Sequence, residues 1–203
     1  SLLELSGHKW PGLMEMTMNA NINAEMRVET HIPRDAKLEA YARRTVFDRP
    51  TLIIDTALVK EQYRNLKAGL GDAHIHYAVK ANPHPAVIST LVAEGCHFDA
   101  ASRGEIELVL EQGAKPEDVS FGNTIKRASD IAWAYEHGIR LFAADSEEEI
   151  KKIAVNAPGV QIYIRLLVGS TEADWPLSRK FGCAPDYALT LMDLAVREGL
   201  MPV

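Results

Sequence analysis

Apolar residues alternate with polar or small ones in the stretch His74-Ile75-His76-Tyr77-Ala78-Val79-Lys80-Ala81-Asn82-Pro83. This period of two predicts a β-strand with Ile75, Tyr77 and Val79 on one face. The other face carries His74, His76, Ala78 and Lys80, with Lys80 at the carboxyl end. A lysine that points into a protein is unusual, because lysines are rarely buried without a partner. By itself, the stretch fits equally well a strand-end lysine that reaches solvent.

The composition is that of a soluble globular protein with enough apolar material for one core. Of 203 residues, 47% are hydrophobic and 25% are charged. A net charge of -6 offers no basic surface for nucleic acid, and no apolar run is long enough to span a membrane. Residues 1–23 lack the charged start and apolar core of a secretory signal. Cys96 and Cys183 fit packing residues in a reducing compartment better than a disulfide framework, so we expect a cytoplasmic protein.

Two regions of the chain differ in regularity. Residues 1–48 show no clear period apart from a helix predicted at 34–44, so we expect an N-terminal extension or arm. Residues 49–203 alternate strands with helices. Strands are predicted at 51–55, 74–80, 97–101, 119–123, 141–145 and 161–168. Helices are predicted at 57–68, 85–94, 128–137 and 185–197, and capping-box spacings at Ser102 and Ser146 open two more.

This alternation predicts βαβ units and a parallel sheet. Polar residues at the carboxyl ends of the strands recur about every 20 residues, a repeat that suits a (β/α)8 TIM-like barrel with its site at that end. They are Lys80, Asp99, Asn123, Asp145 and Arg165. An open doubly wound sheet would show the same alternation, but no GxGxxG or GxxxxGK[ST] motif follows a strand. Because residues 199–203 read as the end of a helix and the start of another strand, we expect only the N-terminal part of the barrel here.

The residues at the strand ends favour chemistry based on an amine. Lys80, Asp99 and Arg165 are predicted to face one cavity, with Glu105 one helical turn further on. A neutral lysine amine is a nucleophile that forms Schiff bases, whereas nearby carboxylates favour its charged form. A lysine held by Asp99 and Glu105 therefore suits Schiff-base chemistry, either directly with a substrate carbonyl or through pyridoxal phosphate.

Four motifs, in order and spacing, resemble the barrel of the fold type III pyridoxal phosphate decarboxylases, which have an alanine racemase-like barrel. These motifs are Tyr77–Asn82, Phe98–Ile106, Ser120–Lys126 and Phe142–Glu149. The family includes ornithine, lysine, diaminopimelate and arginine decarboxylases, and the resemblance runs from about residue 50 to the end of the chain. Two segments, 123–126 and 177–182, resemble the ornithine decarboxylase version more than the diaminopimelate one.

The resemblance implies a decarboxylase of ornithine and/or lysine that forms putrescine or cadaverine for polyamine biosynthesis. Lys80 would carry pyridoxal 5'-phosphate as an internal aldimine, with Ala78 beneath the ring. Asp99 and Glu105 would hold the lysine and keep the cofactor's surroundings polar, and Arg165 would lie in the same cavity. The implied partners are a small amino-acid substrate and a second copy of the chain in a homodimer with shared active sites, and no metal is implied. The family's C-terminal β-domain and phosphate-binding loop would lie beyond residue 203, so we expect this fragment alone to be inactive.

Other interpretations stay open. Glu105 is also explained as a capping-box residue, Asp99 as a cap for the following loop, and Arg165 as a structural ion-pair residue. Structural roles are also predicted for His74 and His76 as core residues and for Glu147–Glu149 as a solvated helix start. The alternative functions are a diaminopimelate decarboxylase of lysine biosynthesis, a non-catalytic regulator on the same barrel, and a small pyridoxal phosphate carrier.

Overall fold

The structure is a computed structural model that describes residues 2–5, 36–167 and 181–203. It divides into two compact units, residues 1–58 and residues 59–203. The domain boundary that we place after residue 48 stays a prediction. Most of the 177–182 motif lies outside the described residues. Within the described ranges, every helix is too short or too polar to span a bilayer.

The first unit contains a helix and a two-stranded antiparallel sheet. Strand β1 (Leu2–Leu5) pairs with β2 (Leu52–Asp55), and helix α1 (Ala36–Arg44) confirms the helix predicted at 34–44. The strand predicted at 51–55 exists, but its placement in the parallel sheet is wrong, because it pairs antiparallel with β1. A strand's own alternation specifies its two faces and leaves open which distant segment pairs with its edge.

The second unit is a parallel sheet whose strands alternate with helices. The helices are α2 (Thr56–Leu70, which starts in the first unit), α3 (Pro85–Ala93), α4 (Arg103–Glu111), α5 (Ala128–Glu136), α6 (Glu147–Asn156) and α7 (Pro185–Arg197). The strands are β3 (His76–Ala78), β4 (His97–Ala100), β5 (Val119–Phe121), β6 (Leu141–Ala144), β7 (Gln161–Ile164) and β8 (Met201–Pro202). Each strand pairs in parallel with the next one along the chain, from β3 to β8.

This sequential strand order is that of a barrel. A doubly wound sheet reverses its strand order at a switch point, and the described strands of the second unit show no reversal. One face of the sheet is apolar and covered, since Phe98, Phe121 and Phe142 are at most 2% exposed. The inner face carries polar residues at the alternate positions, such as Asp99 and Tyr163. The prediction of a TIM-like barrel, with its N-terminal part in this chain, is therefore confirmed.

Serine caps define where two helices begin after their strands. Ser102 Oγ accepts a hydrogen bond from the Glu105 N–H at 3.3 Å, and Ser146 Oγ accepts one from the Glu149 N–H at 3.4 Å. Both caps confirm the predicted helix starts. Each one satisfies a backbone N–H that has no partner within its own helix, and thereby ends the preceding loop at a defined residue.

Candidate active site

Lys80 lies on a 3₁₀ turn (Val79–Ala81) that directly follows β3. The strand therefore ends at Ala78, two residues earlier than its alternation predicts. Val79 is completely buried, and the Tyr77 hydroxyl donates to the Asn82 carbonyl at 3.3 Å, so contacts on both sides of Lys80 hold the turn. Lys80 itself is exposed at the carboxyl end of the strand. Because the turn replaces the last two residues of the predicted strand, the alternation does not assign Lys80 to the inner face, and its predicted inward direction is wrong.

Asp99 lies on β4 beside the strand that leads to Lys80, since it is the register partner of Ala78. Its Oδ1 accepts a hydrogen bond from Ser120 Oγ at 2.9 Å and a longer one from the Tyr163 hydroxyl at 3.5 Å. A Cβ atom on Gly122 would overlap the same carboxylate, so a glycine leaves the space that Asp99 occupies. The carboxylate is therefore held on the inner face of the sheet by groups from two further segments, β5 with the glycine after it and β7.

A cavity of about 300 Å³ opens on this inner face. It is lined by His76, Asp99, Ser120, Leu141 and Tyr163. Burial, together with the nearby negative charge of Asp99, raises the pKa of Tyr163 to about 12. Tyr163 is therefore a neutral hydroxyl donor at physiological pH. Sequence reasoning missed Ser120 and Tyr163, although both lie at inward-facing positions of predicted strands.

Glu105 lies in the first turn of α4, just beyond β4. Its carboxylate accepts a hydrogen bond from the backbone N–H of Ala101 at 2.7 Å, one residue before the Ser102 N–H that a capping box would use. Within the described part of the chain, neither the Glu105 nor the Asp99 carboxylate lies within 4 Å of the Lys80 amine, so neither forms an ion pair with it. The three residues occupy the same end of adjacent strands, while the direct cluster that we predicted is not formed.

Arg165 follows the last residue of β7 and is exposed at the same end of the sheet. Its backbone N–H donates to the Ala144 carbonyl at 2.9 Å, which continues the pairing of β6 with β7. Its guanidinium lies over the Phe181 ring, 5.4 Å from the centroid. A positive side chain thus stands at the carboxyl end of β7, four strands along the described sheet from β3, which Lys80 follows.

A buried ion pair joins the loop after β5 to helix α6. Lys126 Nζ is 3.0 Å from Glu149 Oε1 and donates to the carbonyls of Asn123 at 2.8 Å and Ala143 at 2.6 Å. Glu149 also pairs with Lys152 at 2.6 Å. Burial lowers the pKa of Lys126 to about 8, against the opposing effect of the Glu149 charge. Glu149 is 3% exposed, so the solvated helix start that we predicted is wrong for this residue, because Lys126 reaches it from another loop.

Histidines occupy the amino-terminal ends of the first strands. His74 Nδ1 lies 3.1 Å from His97 Nε2, and the Asp118 carboxylate lies 3.5 Å from the same nitrogen. Burial lowers the pKa of His97 despite the Asp118 charge. His74 and His76 are exposed, so the prediction that they are core residues is wrong. Across the described ranges, histidine, cysteine and acidic side chains form no group of three suited to a metal ion.

The fold and the site define a class of protein, a TIM-like barrel domain with its polar groups at the carboxyl ends of the strands. The family model for the pyridoxal-binding domain of pyridoxal-dependent decarboxylases matches residues 56–201. The chain belongs to this family. The predicted cofactor, pyridoxal phosphate, is thereby confirmed at the level of the family.

Similar proteins include both curated sequences and solved structures. Decarboxylase flvG of Aspergillus flavus is 36% identical over 154 residues, which cover 76% of this chain and 36% of that protein. The lysine/ornithine decarboxylase of Selenomonas ruminantium is 35% identical over 151 residues, which cover 74% of this chain and 38% of that protein. A solved structure of a mutant SrLDC in complex with PLP has a TM-score of 0.74 and 33% identity, and the match covers 82% of this chain and 43% of that one. The chain thus spans 36% and 38% of the length of these two curated relatives.

Proposed function

We propose that this protein decarboxylates a basic amino acid, ornithine and/or lysine, with pyridoxal phosphate held by Lys80. The products would be putrescine and cadaverine, which are precursors in polyamine biosynthesis. The observation that carries the proposal is the exposed Lys80 amine at the carboxyl end of β3, next to the strand that bears Asp99. The relative named as a lysine/ornithine decarboxylase supports a basic substrate.

The residues at this end of the sheet suit an aldehyde-bearing cofactor. Lys80 offers a primary amine, the group that bonds to the aldehyde. Ala78 has a single methyl group and leaves room for a flat ring. Asp99 and Glu105 place negative charge on the strand next to β3 and on the helix that follows it, and Arg165 offers a cation to an anionic group. When bound, pyridoxal phosphate supplies the electron sink that makes loss of the substrate carboxylate feasible.

The visible absorbance of the full-length protein purified with pyridoxal phosphate tests the role of Lys80. We expect a visible band that is absent from the Lys80→Ala variant and retained by Lys151→Ala, which changes an exposed surface lysine. A band that survives in Lys80→Ala would refute the assignment.

Release of carbon dioxide from ornithine, lysine, arginine and diaminopimelate then tests the substrate class. We expect release from ornithine or lysine. Release from diaminopimelate alone would replace the proposed substrate by the alternative one. A colourless protein that acts on none of the four would favour the non-catalytic regulator.

We also propose that the full-length protein is a cytoplasmic homodimer with shared active sites. Both cysteines of the chain, Cys96 and Cys183, are buried as free thiols, which suits a reducing compartment. The family resemblance suggests the dimer. Light scattering after size-exclusion chromatography would measure the mass, and a monomer in the presence of cofactor would contradict this proposal.

A further inference from the structure

We propose that Ser120 and Tyr163 are positioning residues that hold the Asp99 carboxylate at the pyridoxal phosphate site. This inference rests on the proposed function and deepens it. It concerns two side chains that lie on β5 and β7, while the carboxylate that they share lies on β4.

The hydrogen bonds converge on one oxygen of the carboxylate. Ser120 Oγ lies 2.9 Å from Asp99 Oδ1 but 3.3 Å from the Phe98 carbonyl, so the single hydroxyl proton is better placed for the carboxylate. The Tyr163 hydroxyl approaches the same Oδ1 at 3.5 Å. Oδ2 accepts no hydrogen bond from the described residues. The arrangement therefore fixes one oxygen and leaves the other for a cation in the site.

The chemistry of the two donors explains why they orient Asp99 without neutralising it. Ser120 is 2% exposed and uncharged. Tyr163 keeps its proton at physiological pH, because burial and the Asp99 charge raise its pKa to about 12. A lysine or arginine in either position would compete for the negative charge. Two neutral donors instead leave the charge of Asp99 available to an amine bound at the carboxyl end of β3.

Gly122 adds a steric constraint on the same carboxylate. The position that a Cβ atom would take on Gly122 overlaps Asp99 Oδ1, so the backbone of the segment after β5 lies directly against the carboxylate. The backbone at Gly122 and the two hydroxyl groups all lie close to the same oxygen, Oδ1, and together they restrict rotation of the carboxylate. An orientation restricted in this way is what a positioned charge near a reacting amine requires.

A double-mutant cycle in the full-length protein tests this role. Ser120→Ala and Tyr163→Phe would each be made with Asp99 present and in an Asp99→Ala background. The dissociation constant for pyridoxal phosphate would be measured by titrating cofactor-free protein and following visible absorbance. Tyr135→Phe, on the outer helix α5, is the matched control. Thermal unfolding of every variant shows whether it folds. If Ser120→Ala does not fold, Tyr163→Phe, which keeps the aromatic ring, still tests the role.

With Asp99 present, we expect each change to weaken cofactor binding by about threefold to tenfold. In the Asp99→Ala background we expect each change to weaken cofactor binding by about twofold or less, because the carboxylate through which the hydroxyls act is gone. Equal factors in the two backgrounds, or no effect with Asp99 present, would overturn the positioning role. Unmodified protein that binds no pyridoxal phosphate would overturn the proposed function as well, and this is measured before any variant is compared.

Discussion

Replacing Lys126 by methionine is expected to lower the free energy of unfolding by about 1–3 kcal/mol at pH 7. The Lys126 side chain is 0% exposed, so water does not reach its ammonium group. These groups are the carbonyls of Asn123 and Ala143 and the carboxylate of Glu149. Methionine fills similar space without a donor, so the change removes the hydrogen bonds and the charge together.

Two opposing effects set this magnitude. Each buried acceptor that loses its donor costs about 1–3 kcal/mol, which sums to about 3–9 kcal/mol for the three contacts. The lower part of this range applies, because the contact with the Asn123 carbonyl is only partly buried. The loss of a buried charge offsets part of that cost. Burial lowers the pKa of Lys126 from 10.5 to about 8, which corresponds to about 3 kcal/mol against the charged form. Glu149 keeps its ion pair with Lys152 at 2.6 Å, so its own charge stays compensated.

The pH dependence separates the charge from the packing. Since Lys126 has a lower pKa in the folded state than in the unfolded state, the unfolded protein binds more protons between pH 8 and 10.5. Lys126 therefore raises stability with pH in that window, by up to about 1.4 kcal/mol per pH unit. Below about pH 8, Lys126 is protonated in both states and adds no pH dependence to the stability. The stability gap between the unmodified protein and Lys126→Met is expected to widen by about 2 kcal/mol from pH 7 to pH 10.

Urea unfolding followed by circular dichroism at several pH values measures this gap. Lys152→Met is the control, because it removes the other cation bound to Glu149 from a side chain that is 32% exposed. We expect it to cost less than about 1 kcal/mol, with no widening at high pH. A gap for Lys126→Met that stays constant from pH 7 to pH 10 would show that folding does not desolvate this amine, and would refute the reasoning.

Three further predictions test other features of the domain. Thr124 Oγ1 is buried without a hydrogen-bond partner in the described structure. Thr124→Val is therefore expected to raise the free energy of unfolding by about 1 kcal/mol, seen as a higher urea midpoint, whereas Thr124→Ser is expected to leave it unchanged. Because folding lowers the pKa of His97, its contribution is present above its ordinary pKa and is lost as the pH falls. The melting temperature should therefore drop less between pH 7 and pH 5 in His97→Gln, and equal drops would contradict this. Ser102→Ala should cost about 1 kcal/mol by loss of the α4 cap, with a similar cost for Ser146→Ala at α6, and unchanged thermal melts would disprove the caps' contribution.

Short-range patterns were enough to predict most of the local structure. The caps at Ser102 and Ser146 depend on a residue three positions later, and both are present. The alternation around Asp99 assigned its side chain to the inner face, because the two faces of a strand follow from its own sequence. The positions of Lys80 and Arg165 at the carboxyl ends of strands followed from the same periodicity and from the order of the elements.

Residues far apart in the chain decided the remainder of the site. Asp99 is 21 residues from Ser120 and 64 residues from Tyr163, and only the sequential pairing of the strands brings these side chains together. Lys126 and Glu149 look like surface residues in the sequence, yet the fold buries both. Which polar groups meet, and how strongly burial changes their pKa, depends on the strands and helices that surround them. The periodicity of one segment carries no information about those neighbours. The sequence therefore predicted that Lys80 follows the carboxyl end of a strand, while the assembled sheet determined that its amine is exposed and which groups contact Asp99.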